Sequence, residues 1–139
     1  MKKCMAIFAI VACMLSGCRI GKEGAWEFQY GTERVTRIQL VQMENGYNYS
    51  VLKELDVSCA DEIYSDIANL PWKYYGTNLS HPRGVCFLIM FDTGEYDLIS
   101  YIEPRHNRLK DGEVQPFTSW LCCDQEAFEV ILSKYDKTD

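Results

Sequence analysis

The sequence predicts an α+β domain: an antiparallel four- to five-stranded sheet with two helices packed on one face, in the order ββαβββα. Three observations carry this. Segments of alternating polarity stand on either side of turn sequences at Asn45-Gly46 and Asp92-Thr93-Gly94, as strands with one buried face require. Two other stretches repeat apolar residues every three or four positions behind capping residues, the signature of amphipathic helices. Hairpins with helices set apart from them build an antiparallel sheet covered on one side.

Each element follows from its own residues. Residues 25–30, Ala-Trp-Glu-Phe-Gln-Tyr, alternate aromatic with polar or small side chains and predict an extra edge strand. Residues 34–43 are rich in β-branched and apolar types, and Asn45-Gly46 accepts the positive φ angles of a tight turn. The returning strand, 47–55, is expected to hold Tyr47, Tyr49, Val51 and Leu55 on one face. A helix should follow, with Ser58 and Asp61 as a capping box and Ala60, Ile63, Tyr64, Ile67 and Leu70 as its inward stripe. Pro71 stops it, and Trp72, Tyr74 and Tyr75 lead into an irregular loop over 76–84.

Residues 85–91 are apolar at both parities, so they predict a central strand covered on two faces. Asp92-Thr93-Gly94 turns the chain into an alternating strand over 95–102. A polar connection over 105–112 is expected to lead to a last strand near 117–121. Asp124 caps a closing helix whose stripe is Phe128, Ile131, Leu132 and Tyr135.

Before all of this stands a different kind of segment. Lys2 and Lys3 precede an apolar run from Met5 to Leu15, and Ser16, Gly17 and Cys18 follow at once. The run is about eleven residues where a membrane-crossing helix needs roughly twenty, which favours a cleaved export signal over a permanent span. Leu15-Ser16-Gly17-Cys18 resembles the lipobox of bacterial lipoproteins. That resemblance implies a diacylglyceryl group on the Cys18 thiol and cleavage between Gly17 and Cys18. It divides the chain into a signal peptide (1–17), a short tether (18–24) and a single domain (25–139). The competing reading is an ordinary cysteine behind a general secretory signal. The order of elements in the domain also resembles small lipid-anchored bacterial domains of unknown function, and that likeness carries no activity.

Cleavage removes two of the 14 basic residues and none of the 20 acidic ones, leaving 12 against 20, a net charge of −8. Such a domain is not expected to bind nucleic acid, which selects clustered Lys and Arg, and anionic lipid repels it. Attachment then falls to the acyl chains, since two hold a protein where one does so marginally. The sequence does not choose between inner and outer membrane. Roughly 120 mature residues suffice for one core.

Of seven cysteines, Cys4 and Cys13 lie in the signal and Cys18 in the lipobox. Cys59, Cys86, Cys122 and Cys123 are candidates for a disulfide outside the cytoplasm, with Cys59 or Cys86 joined to one of the adjacent pair; the alternative is four small buried apolar side chains. Neither a C-x-x-C nor an H-x-x-x-H pair is present to nucleate zinc, and no metal or cofactor is expected. The nucleophile elbow G-x-S-x-G and the phosphate-binding glycine loops are missing as well. His81 and His106 each sit beside Pro and Arg in expected loops.

A non-catalytic binding module of the cell envelope is therefore the expectation, of inhibitor or immunity type, with another exported protein as partner. A small envelope hydrolase or thiol-dependent enzyme is the alternative. Aromatic side chains are favoured in interface hot spots, which makes Trp72, Tyr74 and Tyr75, with His81 and Arg83 on the following loop, the candidate binding surface. The competing reading closes the core with these rings.

Overall fold

The structure is a computed structural model and describes residues 23–44, 48–74, 84–101, 108–110, 113–115 and 121–137. Its centre is a four-stranded antiparallel sheet, β2-β1-β4-β5, formed by β1 (Val35–Met43), β2 (Tyr49–Leu55), β4 (Gly84–Phe91) and β5 (Tyr96–Ile99). Two helices, α1 (Ala60–Ala68) and α2 (Gln125–Asp136), pack on one face. This is the α+β class the sequence predicts. A second, two-stranded sheet joins β3 (Lys73–Tyr74) to β8 (Leu121–Cys122). Strand β6 (Arg108–Lys110) falls within the stretch 105–112 expected to be an irregular connection, and it pairs antiparallel with β7 (Glu113–Gln115) just beyond it.

The main core lies between the sheet and the helices. Ile38 and Leu40 of β1, Phe87 and Ile89 of β4 and Ile99 of β5 meet Ile63 and Ile67 of α1 and Phe128 and Tyr135 of α2. Each fully buried side chain of this size contributes roughly 1.5–3 kcal/mol. The expected stripes of both helices face this core. The opposite sheet face buries Val41, Met43, Cys86, Leu88 and Leu98, so β4 is covered on two faces, as its unbroken apolar run requires.

Turns and caps set the boundaries. Gly94 takes φ +80° in the β4–β5 turn, a conformation open to glycine, and its N–H donates to the Phe91 carbonyl at 3.0 Å. Asp124 caps α2 by accepting from the Ala127 N–H at 3.0 Å. The start of α1 departs from the expected capping box. Asp56 accepts from the Ser58 N–H and opens a 3-10 turn, Val57–Cys59, which feeds into α1 without a side-chain cap on Cys59. Asp56 reaches the amides first because it stands at the end of extended backbone, where Ser58 is already within the turn.

Three other expectations change. Residues 25–30 form no strand; an irregular strap runs through them over the helix side of the sheet. The strand expected near 117–121 is described only at Leu121–Cys122, and it pairs with β3 rather than with the main sheet; residues 117–120 lie outside the described residues. In β2 the stripe of Tyr49, Val51 and Leu55 is split, because the β1–β2 register shifts between Leu40 and Val41. Leu55 faces Ile38 in the main core, whereas Val51 and Tyr49 lie opposite Val41 and Met43 on the other face. Leu52 is the extra residue of this bulge, and a bulge re-aims the side chains around it.

Candidate functional site

Most of the chemistry-bearing residues are used by the fold. Pro71 ends α1 and turns the chain back, so that Trp72 drops into the core at 2% exposure. Its indole N–H donates to the Ile67 carbonyl at 2.7 Å, and its ring lies 4.9 Å from that of Trp26. Trp72 is thus a core residue and presents no docking ring, which corrects the expectation of an exposed aromatic surface. Tyr74 is half-buried in β3 and packs against the same core. Tyr75, His81 and Arg83 lie outside the described residues, as do His106 and Cys18.

The strap that covers Trp72 is held by a polar clasp. Gly24 N–H donates to the Trp72 carbonyl at 2.9 Å, Phe28 stacks on Tyr64 with ring centroids 3.6 Å apart, and Gln29 N–H donates to an Asp97 carboxylate oxygen at 2.9 Å. The Tyr30 hydroxyl donates to Glu95, and the Tyr64 hydroxyl to the Tyr30 carbonyl. Asp97 and Glu95 are both buried. Two carboxylates, one on β5 and one just before it, could suggest acid–base chemistry, but here they satisfy strap donors that would otherwise lose water uncompensated. Burial, with the Asp97 and Glu33 charges, pushes the Tyr64 hydroxyl far above the usual phenol range.

The four described thiols are free, which corrects the disulfide expectation, and the fold sets Cys59, Cys86 and Cys123 apart from one another. Cys86 points to the sheet face opposite the helices, whereas Cys59 and Cys123 pack at the margin of the helix-side core. Lys134, near the end of α2, reaches Glu62 and Asp66 of α1 at 2.6 and 2.7 Å. Since Cys59 immediately precedes α1, it sits by the end of α2, while Cys123 precedes the start of that helix. Twelve helical residues separate those ends by about 18 Å, against a limit of roughly 7 Å between bridged Cα atoms. Burial pushes Cys86 and Cys123 up to about 12, and Cys122 also upward against the pull of Lys73. Thiols held protonated are poor nucleophiles and poor metal ligands. Among the described residues no group of three or more His, Cys, Asp or Glu side chains converges as a metal site.

What stays open lies along α2, where a shallow hollow of about 490 Å³ is lined by charged residues such as Glu126, Glu129, Lys134 and Lys137, and at the β2 edge. The exposed large apolar residues among those described are Tyr49, Val51 and Leu52 of β2, Val130 of α2, and Val57. Of these only Leu52 lines a groove of about 250 Å³ between β2 and the C-terminal half of α2, floored by Leu40, Leu52, Val85 and Leu132 and rimmed by Glu129 and Asp136; Tyr49 and Val51 face the other side of the sheet. Neither carboxylate forms an ion pair among the described residues. Two nearby cations are engaged elsewhere, Lys53 donating to the Tyr135 and Lys137 carbonyls at 2.9 Å and Lys134 bridging to α1, while Lys137 shares the neighbouring surface of α2 with Glu129. Sequence reasoning missed this groove. Its one signal was the adjacent apolar pair Val51-Leu52, which breaks the alternation of β2 and marks the bulge. Searches of protein-family models, curated proteins and solved structures returned no match to this chain.

Proposed function

We propose that this chain is an exported lipoprotein, anchored to a membrane through acylated Cys18, whose domain is a non-catalytic module that binds another exported protein, in the manner of an inhibitor or immunity protein. The observation that carries the reading is Leu15-Ser16-Gly17-Cys18 directly behind a short apolar run with two leading lysines. A domain of net negative charge has no electrostatic attraction to anionic lipid, so acyl chains supply the attachment.

The strap adds to this. The Glu23 backbone forms an isolated antiparallel β-bridge with that of Lys73, and Gly24 is hydrogen-bonded into the fold, which makes the tether shorter than the expected 18–24. Only residues 19–22 separate Cys18 from Glu23, and chain geometry limits that span to about 18 Å at ~3.6 Å per residue. An anchored domain is therefore confined to a thin layer above the bilayer, where tethering raises the local concentration of partner and makes weak contacts sufficient. Burial of Trp72 and the protonated thiols leaves the functional burden on surface recognition rather than on thiol chemistry.

Fractionation tests the anchor. Wild-type chain is expected in the membrane fraction and in the detergent phase on Triton X-114 partition, and Cys18→Ala in the aqueous phase or retained as uncleaved precursor. Identical detergent partition of a processed Cys18→Ala chain would refute acylation at this residue.

A further inference from the structure

We infer that the β2–α2 groove is a docking site for a segment of another protein that presents a bulky apolar side chain flanked by Lys or Arg. The inference rests on the binding-module reading above and names its surface and the chemistry of its partner. Three features converge on it. Its lining is largely apolar, Leu40, Leu52, Val85 and Leu132, and Leu52 is one of the five exposed large apolar residues among those described. The bulge turns Leu52 out of the ladder, 52% exposed, onto a floor it shares with fully buried Leu40. The rim carries two carboxylates, Glu129, which accepts from the Gln125 amide at 2.6 Å, and Asp136, and neither forms an ion pair among the described residues; Lys53 is held by the carbonyl end of α2 and Lys134 by α1.

Size and charge select the occupant. Small-molecule sites run from roughly 300 to 1,000 Å³ and bury most of their ligand, so an open groove of about 250 Å³ suits one or two anchoring side chains of a peptide better. Two carboxylates outside any ion pair beside an apolar floor favour cations flanking the anchor, and charge complementarity of this kind speeds encounter and excludes acidic competitors. The bulge interrupts the β2 edge as a template for strand addition, which favours side-chain anchoring over extension of the sheet. The groove also lies at the C-terminal end of α2, whereas the strap meets the fold beside Leu121 and the start of that helix. It is thus the end of α2 remote from the anchor.

The test uses the full chain in phosphatidylcholine nanodiscs, whose zwitterionic surface does not attract a cationic probe. The probe is a fluorescein-labelled nonapeptide with a Leu-Trp-Leu centre and Lys at four flanking positions. Its two twins carry Glu for every Lys, or Ser for every apolar residue. Fluorescence anisotropy should detect binding of the parent peptide alone. Leu52→Asp, and separately Glu129→Lys with Asp136→Lys, should each weaken it at least about tenfold, as loss of an anchor does. Glu27→Lys, a charge change on the exposed strap, should leave it unaltered. Binding that survives Leu52→Asp, or that falls as far with Glu27→Lys, overturns the groove as the site, and failure of the parent peptide to bind overturns its assigned chemistry. Self-association in the ultracentrifuge that Leu52→Asp abolishes would give the groove to a second copy, again overturning the proposal. None of these results bears on acylation, which fails or stands on Cys18 alone.

Discussion

Trp72 shows how one residue's surroundings decide its role. Pro71 and the strap place its ring at 2% exposure with its N–H satisfied by Ile67, so its contribution is to stability. Trp72→Ala is expected to cost about 3–5 kcal/mol, the usual range for deleting a buried aromatic, and Trp72→Phe considerably less, read from urea denaturation midpoints at unchanged m-value. A Trp72→Ala loss below about 1 kcal/mol would mean that the ring is not packed. The thiols make a second prediction at this scale. Cys86 is fully buried and its thiol is pushed up to about 12, so an aromatic disulfide reagent at neutral pH should label it only at the rate of global unfolding.

At the scale of elements, the contact between the helices is an electrostatic clasp with a definite pH signature. Burial lifts the Asp66 carboxyl, but hydrogen bonds from Lys134 and Tyr135 outweigh it and hold the group below its usual 3.8. A depressed carboxyl adds stability above its unfolded value that is lost as pH falls through the folded one. Lys134 is raised above 10.5, chiefly by its hydrogen bond to Asp66 and then by that to Glu62. Its contribution is whole below 10.5 and is lost as pH rises through the folded value. Stability should therefore decline below about pH 4 and above about pH 10, and Asp66→Asn should flatten both limbs in thermal melts taken across pH. A variant with wild-type limbs would contradict the clasp. At the other end of α2, Asp124→Ala should cost about 1 kcal/mol through the lost cap.

The elements also show what the sequence could and could not reveal. Stripes such as Ile63, Ile67, Phe128 and Tyr135 were legible because helical periodicity is local, and the β4–β5 hairpin because Gly94 marks its turn. The strap was not. Trp26, Phe28 and Tyr30 alternate as a strand would, but their partners are Trp72, Tyr64 and Glu95, and no local pattern encodes a plug of side chains filling a gap between distant elements. The groove was hidden for a related reason. It depends on where a one-residue register shift falls between β1 and β2, and that is fixed by pairing across the turn rather than by either strand alone.

For the whole molecule, the strap makes residues 23–31, ahead of the main sheet, part of the core. Trp26 is buried, and Asp97 and Glu95 each hold a strap donor. Removing residues up to 22 should leave the melting temperature nearly unchanged, whereas removing residues up to 31 should unfold the domain, because it exposes Trp72 and strands two buried carboxylates. Circular dichroism of the two truncations decides this, and a folded domain without residues 23–31 would show the strap to be dispensable. On the proposed reading, a foundation of this kind suits a domain that begins within a few residues of a lipid anchor.

The anchoring claim meets its most direct test in the intact mass of the processed chain isolated from membranes of an expressing bacterium. The account predicts a polypeptide beginning at Cys18 and carrying the added mass of a diacylglyceryl group on that residue. An unmodified polypeptide, or an amino terminus at any other residue, would contradict it.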